Sequence, residues 1–139
     1  MVLYKYKGDV MKRMNKNELL KLLETLKVDR YEFTLLSSSA LVMRNIYPDA
    51  GDLDIAVTEK GLNELKQNYN LILKGNDWYI VADRVECVLD DMANKRELYE
   101  DYYLQDIYDY LKYLESSNRE KDKLRIPLVK EYIENNKKK

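Results

Sequence analysis

The sequence predicts a mixed α/β (α+β) domain, a β-sheet flanked by helices and closed by a helical C-terminal cap. Two patterns predict it. Through the first two-thirds, segments in which apolar and polar residues alternate, the period of a strand with one buried face, are interspersed with segments whose apolar residues recur every three or four positions. Beyond Tyr99 only the helical period remains. Composition agrees: 45% of the 139 residues are hydrophobic and 35% charged, which suits one folded domain over residues 1–139 and argues against a disordered chain. Within it the α/β core spans 14–98 and the C-terminal helices 99–136.

The elements follow in order. Leu19, Leu20, Leu23 and Leu26 stand at helical spacing between Asn15 and Lys27, with Asn15 or Asn17 as N-cap. Residues 31–36 are short, aromatic and β-branched and read as a strand. Ser37-Ser38-Ser39 is a turn, from which Ala40 to Arg44 continue as a short helix. Pro48-Asp49-Ala50-Gly51 breaks the chain again. Asp52 to Val57 alternates polar with apolar, the mark of a strand. Glu59 to Tyr69 is helical, with Leu62 and Leu65 inward. Leu71-Ile72-Leu73 and Trp78-Tyr79-Ile80-Val81 flank Gly75-Asn76-Asp77 as a hairpin, and Arg84 to Leu89 is another alternating strand. Leu104, Ile107, Tyr108, Leu111 and Leu114 form a helical stripe that ends at Ser116-Ser117-Asn118. A short helix from Arg119 reaches Ile126, and Pro127 opens a last one carrying Leu128, Val129, Tyr132 and Ile133.

Composition also excludes functions. The chain has no His, which removes Ser-His-Asp and Cys-His catalysis and argues against a zinc site. Its chemistry rests on carboxylates, Lys, Tyr or a bound metal. One cysteine, Cys87, rules out an intrachain disulfide and suits a reducing compartment. No apolar run is long enough to span a membrane, and the first residues lack the apolar stretch of a signal peptide, so a cytoplasmic protein is expected, with no membrane partner. Twenty-four basic residues against 25 acidic ones leave a formal charge of −1, which gives no bulk attraction to nucleic acid.

The informative stretch is Leu36-Ser37-Ser38-Ser39, a spacer over residues 40–51, then Asp52-Leu53-Asp54-Ile55. Residues two apart on a strand share a face, so the carboxylates of Asp52 and Asp54 lie side by side. Two anions that close repel unless a cation bridges them. Magnesium suits the role, because it takes hard oxygen ligands and commonly one or two carboxylates plus substrate phosphates. A third carboxylate on a neighbouring strand completes a site for two metals. Glu86, flanked by Val85 and Cys87 on its strand, is the preferred third, with Asp83, Asp90 and Asp91 as rivals. A small-residue turn entering a helix aims backbone N–H groups at one point and makes a phosphate cradle, to which a serine hydroxyl adds a donor.

Together these motifs resemble the nucleotidyltransferase superfamily, the DNA polymerase β-like fold. Its signature is a hydrophobic residue, Gly, Gly or Ser, a short spacer, then Asp-hydrophobic-Asp-hydrophobic. One subgroup of small bacterial proteins reads Gly-Gly-Ser-Ala-Leu at the turn and carries Arg-x-Lys-Asp in its C-terminal helices. Arg119-Glu120-Lys121-Asp122 matches that second motif in kind and position, so the resemblance runs from about Asn15 to Glu134. Both turn glycines of the subgroup are serines here, Ser37 and Ser38. The resemblance implies transfer of a nucleoside monophosphate from a nucleoside triphosphate to a hydroxyl acceptor. It implies two magnesium ions on Asp52, Asp54 and Glu86, with phosphates held by Ser37, Ser38 and Ser39 and approached by Arg44, Arg119 and Lys121. It also implies a homodimer, because small members of the superfamily build their acceptor site between subunits.

Plainer roles stand beside each of these. Asp52 and Asp54 also suit a solvent-facing strand, the serines a helix N-cap, and Arg119, Lys121 and Asp122 a solvated helix start with an internal ion pair. The C-terminal tyrosines suit packing, and Cys87 a small buried hydrophobe. Two further functions remain open: a binding module that keeps the fold without turnover, and a toxin or phage-defence enzyme acting on a macromolecule.

Overall fold

The structure is a computed structural model and describes residues 12–90 and 95–137. The chain runs α1 (Lys16–Thr25), a single 3-10 turn (Arg30–Glu32), β1 (Phe33–Leu35), α2 (Ser37–Met43), β2 (Leu53–Val57), α3 (Glu59–Asn68) and β3 (Ile72–Gly75). It continues through β4 (Trp78–Ala82), β5 (Val85–Leu89), β6 (Arg96–Tyr99), β7 (Tyr102–Gln105), α4 (Ile107–Ser116) and α5 (Glu120–Lys137). The seven strands form one mixed sheet in the order β3-β4-β5-β2-β1-β7-β6. The α/β class expected from the sequence is the one observed.

Local chemistry accounts for the boundaries. Asn15 caps α1 reciprocally with Glu18: the Glu18 N–H donates to the Asn15 side chain, and the Asn15 N–H donates to the Glu18 carboxylate. Such a cap stabilises a helix by about 1 kcal/mol. The β3–β4 hairpin closes on Asn76 and Asp77, with φ of 51° and 67°, the two positive values that a two-residue turn between twisted strands requires. At Gly61 helix α3 closely approaches the 3-10 turn that precedes β1, and a Cβ there would lie 2.8 Å from the Glu32 carbonyl oxygen.

The strand alternation sets the two faces of the sheet. Leu53, Ile55 and Val57 of β2, Val85 and Cys87 of β5 and Leu35 of β1 are buried in one cluster with Leu19 and Leu23 of α1 and Leu62 and Leu65 of α3. Asp54 and Glu86 fall on the alternate positions and project from the opposite face. A second cluster joins Leu41 of α2 to Ile107, Tyr110 and Leu114 of α4 and Val129 and Ile133 of α5. This docks the C-terminal helices on α2 and fixes where the start of α5 sits.

Four expectations are corrected. The C-terminal region is not wholly helical, because residues 96–105 form the β6–β7 hairpin, and Leu104 lies in β7. Leu104 stands three residues before Ile107 and so mimics a helical stripe, while its Glu100-Asp101 turn lacks glycine or asparagine. Pro127 does not open a helix but lies inside α5, which runs unbroken from Glu120 to Lys137. The Lys123 carbonyl that loses its partner there belongs to an exposed residue, and burial of Arg125, Val129 and Ile133 on the inner side holds both halves in line. Asp52 precedes β2 rather than beginning it, and the serines begin α2 rather than forming a turn before it. Among the described residues no helix is long and apolar enough to cross a membrane.

Candidate active site

The topology brings the serines and the aspartates together. β1 runs antiparallel to β2, with Leu35 opposite Ile55, so the end of β1 returns beside the start of β2. The Leu36 N–H donates to the Asp54 carbonyl at 2.9 Å, which ties the entrance of α2 to Asp54 directly. On its other side β2 pairs in parallel with β5, and Asp54 is the register partner of Glu86. Their side chains therefore emerge next to each other from one face. Of the residues weighed as a third carboxylate, Asp83 lies in the exposed turn before β5, and the N–H of Asp90 bonds the Val57 carbonyl at the far end of β2. Asp91 lies outside the described residues.

Asp54 is the centre of a charged group. Its carboxyl is pushed up to about 6, first by burial, then by the neighbouring charges of Asp52 and Glu86, against the opposing pull of Lys74 and Lys121. Glu86 has a partner already: Lys74 Nζ donates to both of its carboxylate oxygens, at 2.9 and 3.0 Å. Lys74 titrates above its ordinary value through that same hydrogen bond. Among the described residues no three carboxylates or thiols converge into a metal-holding group. The oxygen donors of Asp52 and Asp54 suit magnesium, and the burial and neighbouring negative charge that raise the Asp54 carboxyl are what a cation would offset. Glu86 would have to give up its Lys74 hydrogen bonds to join them.

Two cavities meet at Asp54. One, of about 190 Å³, reaches from Ser37, Ser38 and Asp52 to Arg119, Lys121 and Arg125. Arg13 also lines it, positioned by the Met14–Ala50 bridge and anchored on Asp49 at 2.6 Å. The other, of about 280 Å³, is lined by Asp54, Glu86, Lys74, Gly75, Asn76 and Trp78. Four cations line the first and an aromatic ring the second, and Asp54 stands in the wall between them.

The motif at 119–122 organises the cationic wall. Asp122 is fully buried and accepts hydrogen bonds from Ser117 Oγ, Arg119 Nε and Arg119 Nη2 at 2.7, 2.7 and 3.2 Å. The internal ion pair and the approach to the cleft thus coexist, since Asp122 holds Arg119 while Arg119 and Lys121 line the cavity. Arg125, one turn further along α5, is also buried, donates to the Tyr110 hydroxyl at 3.0 Å and lies over the Tyr47 ring. Its Nε has no partner among the described residues.

The remaining candidates are placed differently. Arg44 does not face the cavity: it is buried at the far end of α2, pairs with Glu97 at 2.7 Å and donates to the Gln105 carbonyl. A helix of this length separates it from the serines by about 10 Å, and its role is to clamp the β6–β7 hairpin to α2. Ser39 is buried and its hydroxyl donates to the Leu36 carbonyl, so it points along the helix rather than into the cavity. Leu36, not a serine, is the N-cap. The Ser37 N–H is taken by the Gln105 side chain at 3.1 Å. Cys87 is a buried hydrophobe whose thiol burial pushes up to about 11.

Ser37 adopts a φ of 51°, the left-handed region that glycine enters freely. A serine there is strained by about 1–2 kcal/mol, partly offset by the greater freedom glycine has in the unfolded chain, about 0.5–1 kcal/mol. Ser37→Gly is therefore expected to raise the melting temperature by a few degrees, and Ser37→Val to lower it, in thermal melts followed by circular dichroism. A Ser37→Gly protein that melts lower than the parent would show that the serine side chain stabilises the turn by more than its backbone strain.

Arg13, Lys74, Trp78, Gln105 and Arg125 are the site residues that sequence reasoning missed. Arg125 alone carried a usable signal, since it follows Lys121 by four residues and so shares its helix face. Compared with known proteins, the chain matches no protein-family model, no curated protein and no solved structure, and what the cleft can do follows from its own residues.

Proposed function

We propose that this protein is a nucleotidyltransferase, binding a nucleoside triphosphate with its phosphates in the cavity of Arg13, Arg119, Lys121 and Arg125 and its α-phosphorus beside Asp54. The observation that carries the reading is the position of Asp54 between a cation-lined cavity and a carboxylate-bearing one. Phosphoryl chemistry needs little more than positioned reactants and stabilised charge. Four cations around a small polar cavity hold the leaving pyrophosphate, and Arg125 brings a buried guanidinium with an unpartnered N–H. The acceptor hydroxyl oxygen bonds to the α-phosphorus as the bond to the α,β-bridging oxygen breaks. Pyrophosphate leaves with that electron pair, and the hydroxyl proton passes to the Glu86 carboxylate once Lys74 withdraws. Asp52 and Asp54 would hold magnesium, which supplies charge neutralisation at the phosphates when bound. The other residues bind, orient and transfer the proton.

The test is a thermal-shift series with each of the four nucleoside triphosphates and magnesium, on the parent and on Asp54→Asn. A nucleotide-dependent shift of several degrees that needs magnesium and vanishes in Asp54→Asn is expected. No shift with any of the four overturns the reading. A second reading, a binding module without turnover, is favoured by the Lys74 grip on Glu86 and by serine at the left-handed position. Magnesium-dependent nucleotide binding with no pyrophosphate release in the presence of nucleotide acceptors would select it.

A further inference from the structure

We propose that the cavity of Trp78, Asn76 and Lys74 is the acceptor site and takes a nucleotide with an unpaired base, stacked on the Trp78 ring. The inference rests on the phosphoryl-transfer reading for its orientation and on the cavity's own chemistry for its ligand. In strand order the two cavities fall on opposite sides of β2: one toward β1 and α2, the other over β5 and the β3–β4 hairpin. Attacking and leaving oxygens lie roughly in line across the transferred phosphorus. A pyrophosphate leaving into the cationic cavity therefore requires the nucleophile to enter from the Trp78 side, where Glu86 can take its proton once Lys74 withdraws.

The residues there describe what enters. Trp78 is half-buried at the start of β4 and faces a cavity of about 280 Å³, a size at the low end for small-molecule sites. Its indole offers a flat apolar surface on which any base stacks. Asn76, exposed at the hairpin tip, offers an amide donor and acceptor for a ring edge. Lys74, on the bulged edge strand, carries a cation that can exchange the Glu86 carboxylate for a phosphate. A flat ring with a polar edge, a hydroxyl and an anion are together a nucleotide. Free mononucleotides and the end of a single strand share that chemistry.

Trp78 is the single tryptophan of the chain, so its emission reports this cavity alone. The full chain is titrated with adenosine 5′-monophosphate, with ribose 5-phosphate and with a five-nucleotide single-stranded oligoadenylate, each with and without saturating magnesium tripolyphosphate. Saturable quenching by the mononucleotide is expected, with ribose 5-phosphate at least about 10-fold weaker because it lacks the ring. Quenching that persists with tripolyphosphate present supports a separate acceptor site. Tighter binding of the oligonucleotide identifies a strand end as the source, and equal or weaker binding a free nucleotide. Asn76→Gly, which keeps the positive φ, is expected to weaken binding several-fold, and calorimetry on Trp78→Ala, with folding checked by circular dichroism, to lose it. Absence of quenching by both nucleotide probes, or equal binding of ribose 5-phosphate, overturns the proposal, as does displacement of the mononucleotide by tripolyphosphate. Tripolyphosphate that fails to bind while nucleotide quenching survives overturns the triphosphate reading instead and leaves the ring site standing.

Discussion

Asp54→Asn raises the melting temperature of the metal-free protein at pH 7.5 by about 4–8 °C, while removing its response to magnesium and nucleotide. The reason lies in the burial of the Asp54 carboxyl, to which the nearby charges of Asp52 and Glu86 add. The folded protein holds the Asp54 carboxyl at about 6, whereas the unfolded chain leaves it at its ordinary value of 3.8. Between those two values the folded state binds more protons than the unfolded one, so stability falls as pH rises through that window and is flat above it. A shift of that size corresponds to about 3 kcal/mol, and partial exposure to solvent reduces it to about 1–2 kcal/mol. Asparagine keeps the shape and removes the charge, so the penalty goes. The melting temperature of the parent, followed from pH 4 to pH 8, should fall across that window, and that of Asp54→Asn should not. Magnesium should restore the parent more strongly as pH rises past about 6, because it binds the ionised form. A parent whose stability is level across the window would show that the carboxylates are too well hydrated to repel.

That arrangement explains how much of the site was legible beforehand. Asp54 and Glu86 stood out because a charge between apolar neighbours on a strand needs a reason, Asp52 because it stands two residues before Asp54, and the family resemblance added weight to the aspartates. The parallel register of β2 with β5 could not be read, because it depends on how a helix and a hairpin return the chain. Lys74 was hidden for the same reason: it reaches Glu86 from an edge strand across β4. Arg44 misled because it follows the serines closely in sequence, whereas one helix length carries it to the other end of α2. The β6–β7 hairpin was masked by a chance helical spacing of Leu104 with Ile107. Trp78 read only as a strand residue, since nothing in its own segment says that Glu86 lies one strand away and Asp54 two.

Asp122→Ala is expected to destabilise the C-terminal cap by about 1–3 kcal/mol, because it removes the buried carboxylate that accepts hydrogen bonds from Ser117 and Arg119. Burial alone would push the Asp122 carboxyl up. The hydrogen bonds from Arg119 and Ser117, with the charges of Arg119 and Arg125, outweigh burial and hold it below its ordinary value. Asp122 therefore stabilises the fold above the ordinary carboxyl pKa, and that contribution disappears as pH falls below about 4 through the lowered folded value. Asp54 acts in the opposite sense, losing stability as pH rises. Because the two carboxylates limit the fold from opposite sides, their variants are separable in one measurement. Urea midpoints followed from pH 3 to pH 8 should lose the acid limb in Asp122→Asn and keep the fall through pH 4 to 6. Asp54→Asn should do the reverse. Asp122→Asn should also weaken tripolyphosphate binding several-fold, since Asp122 is the hydrogen-bond partner that orients Arg119 beside the cavity. A loss of stability without that loss of binding would separate the brace from the phosphate site and assign Asp122 to the fold alone.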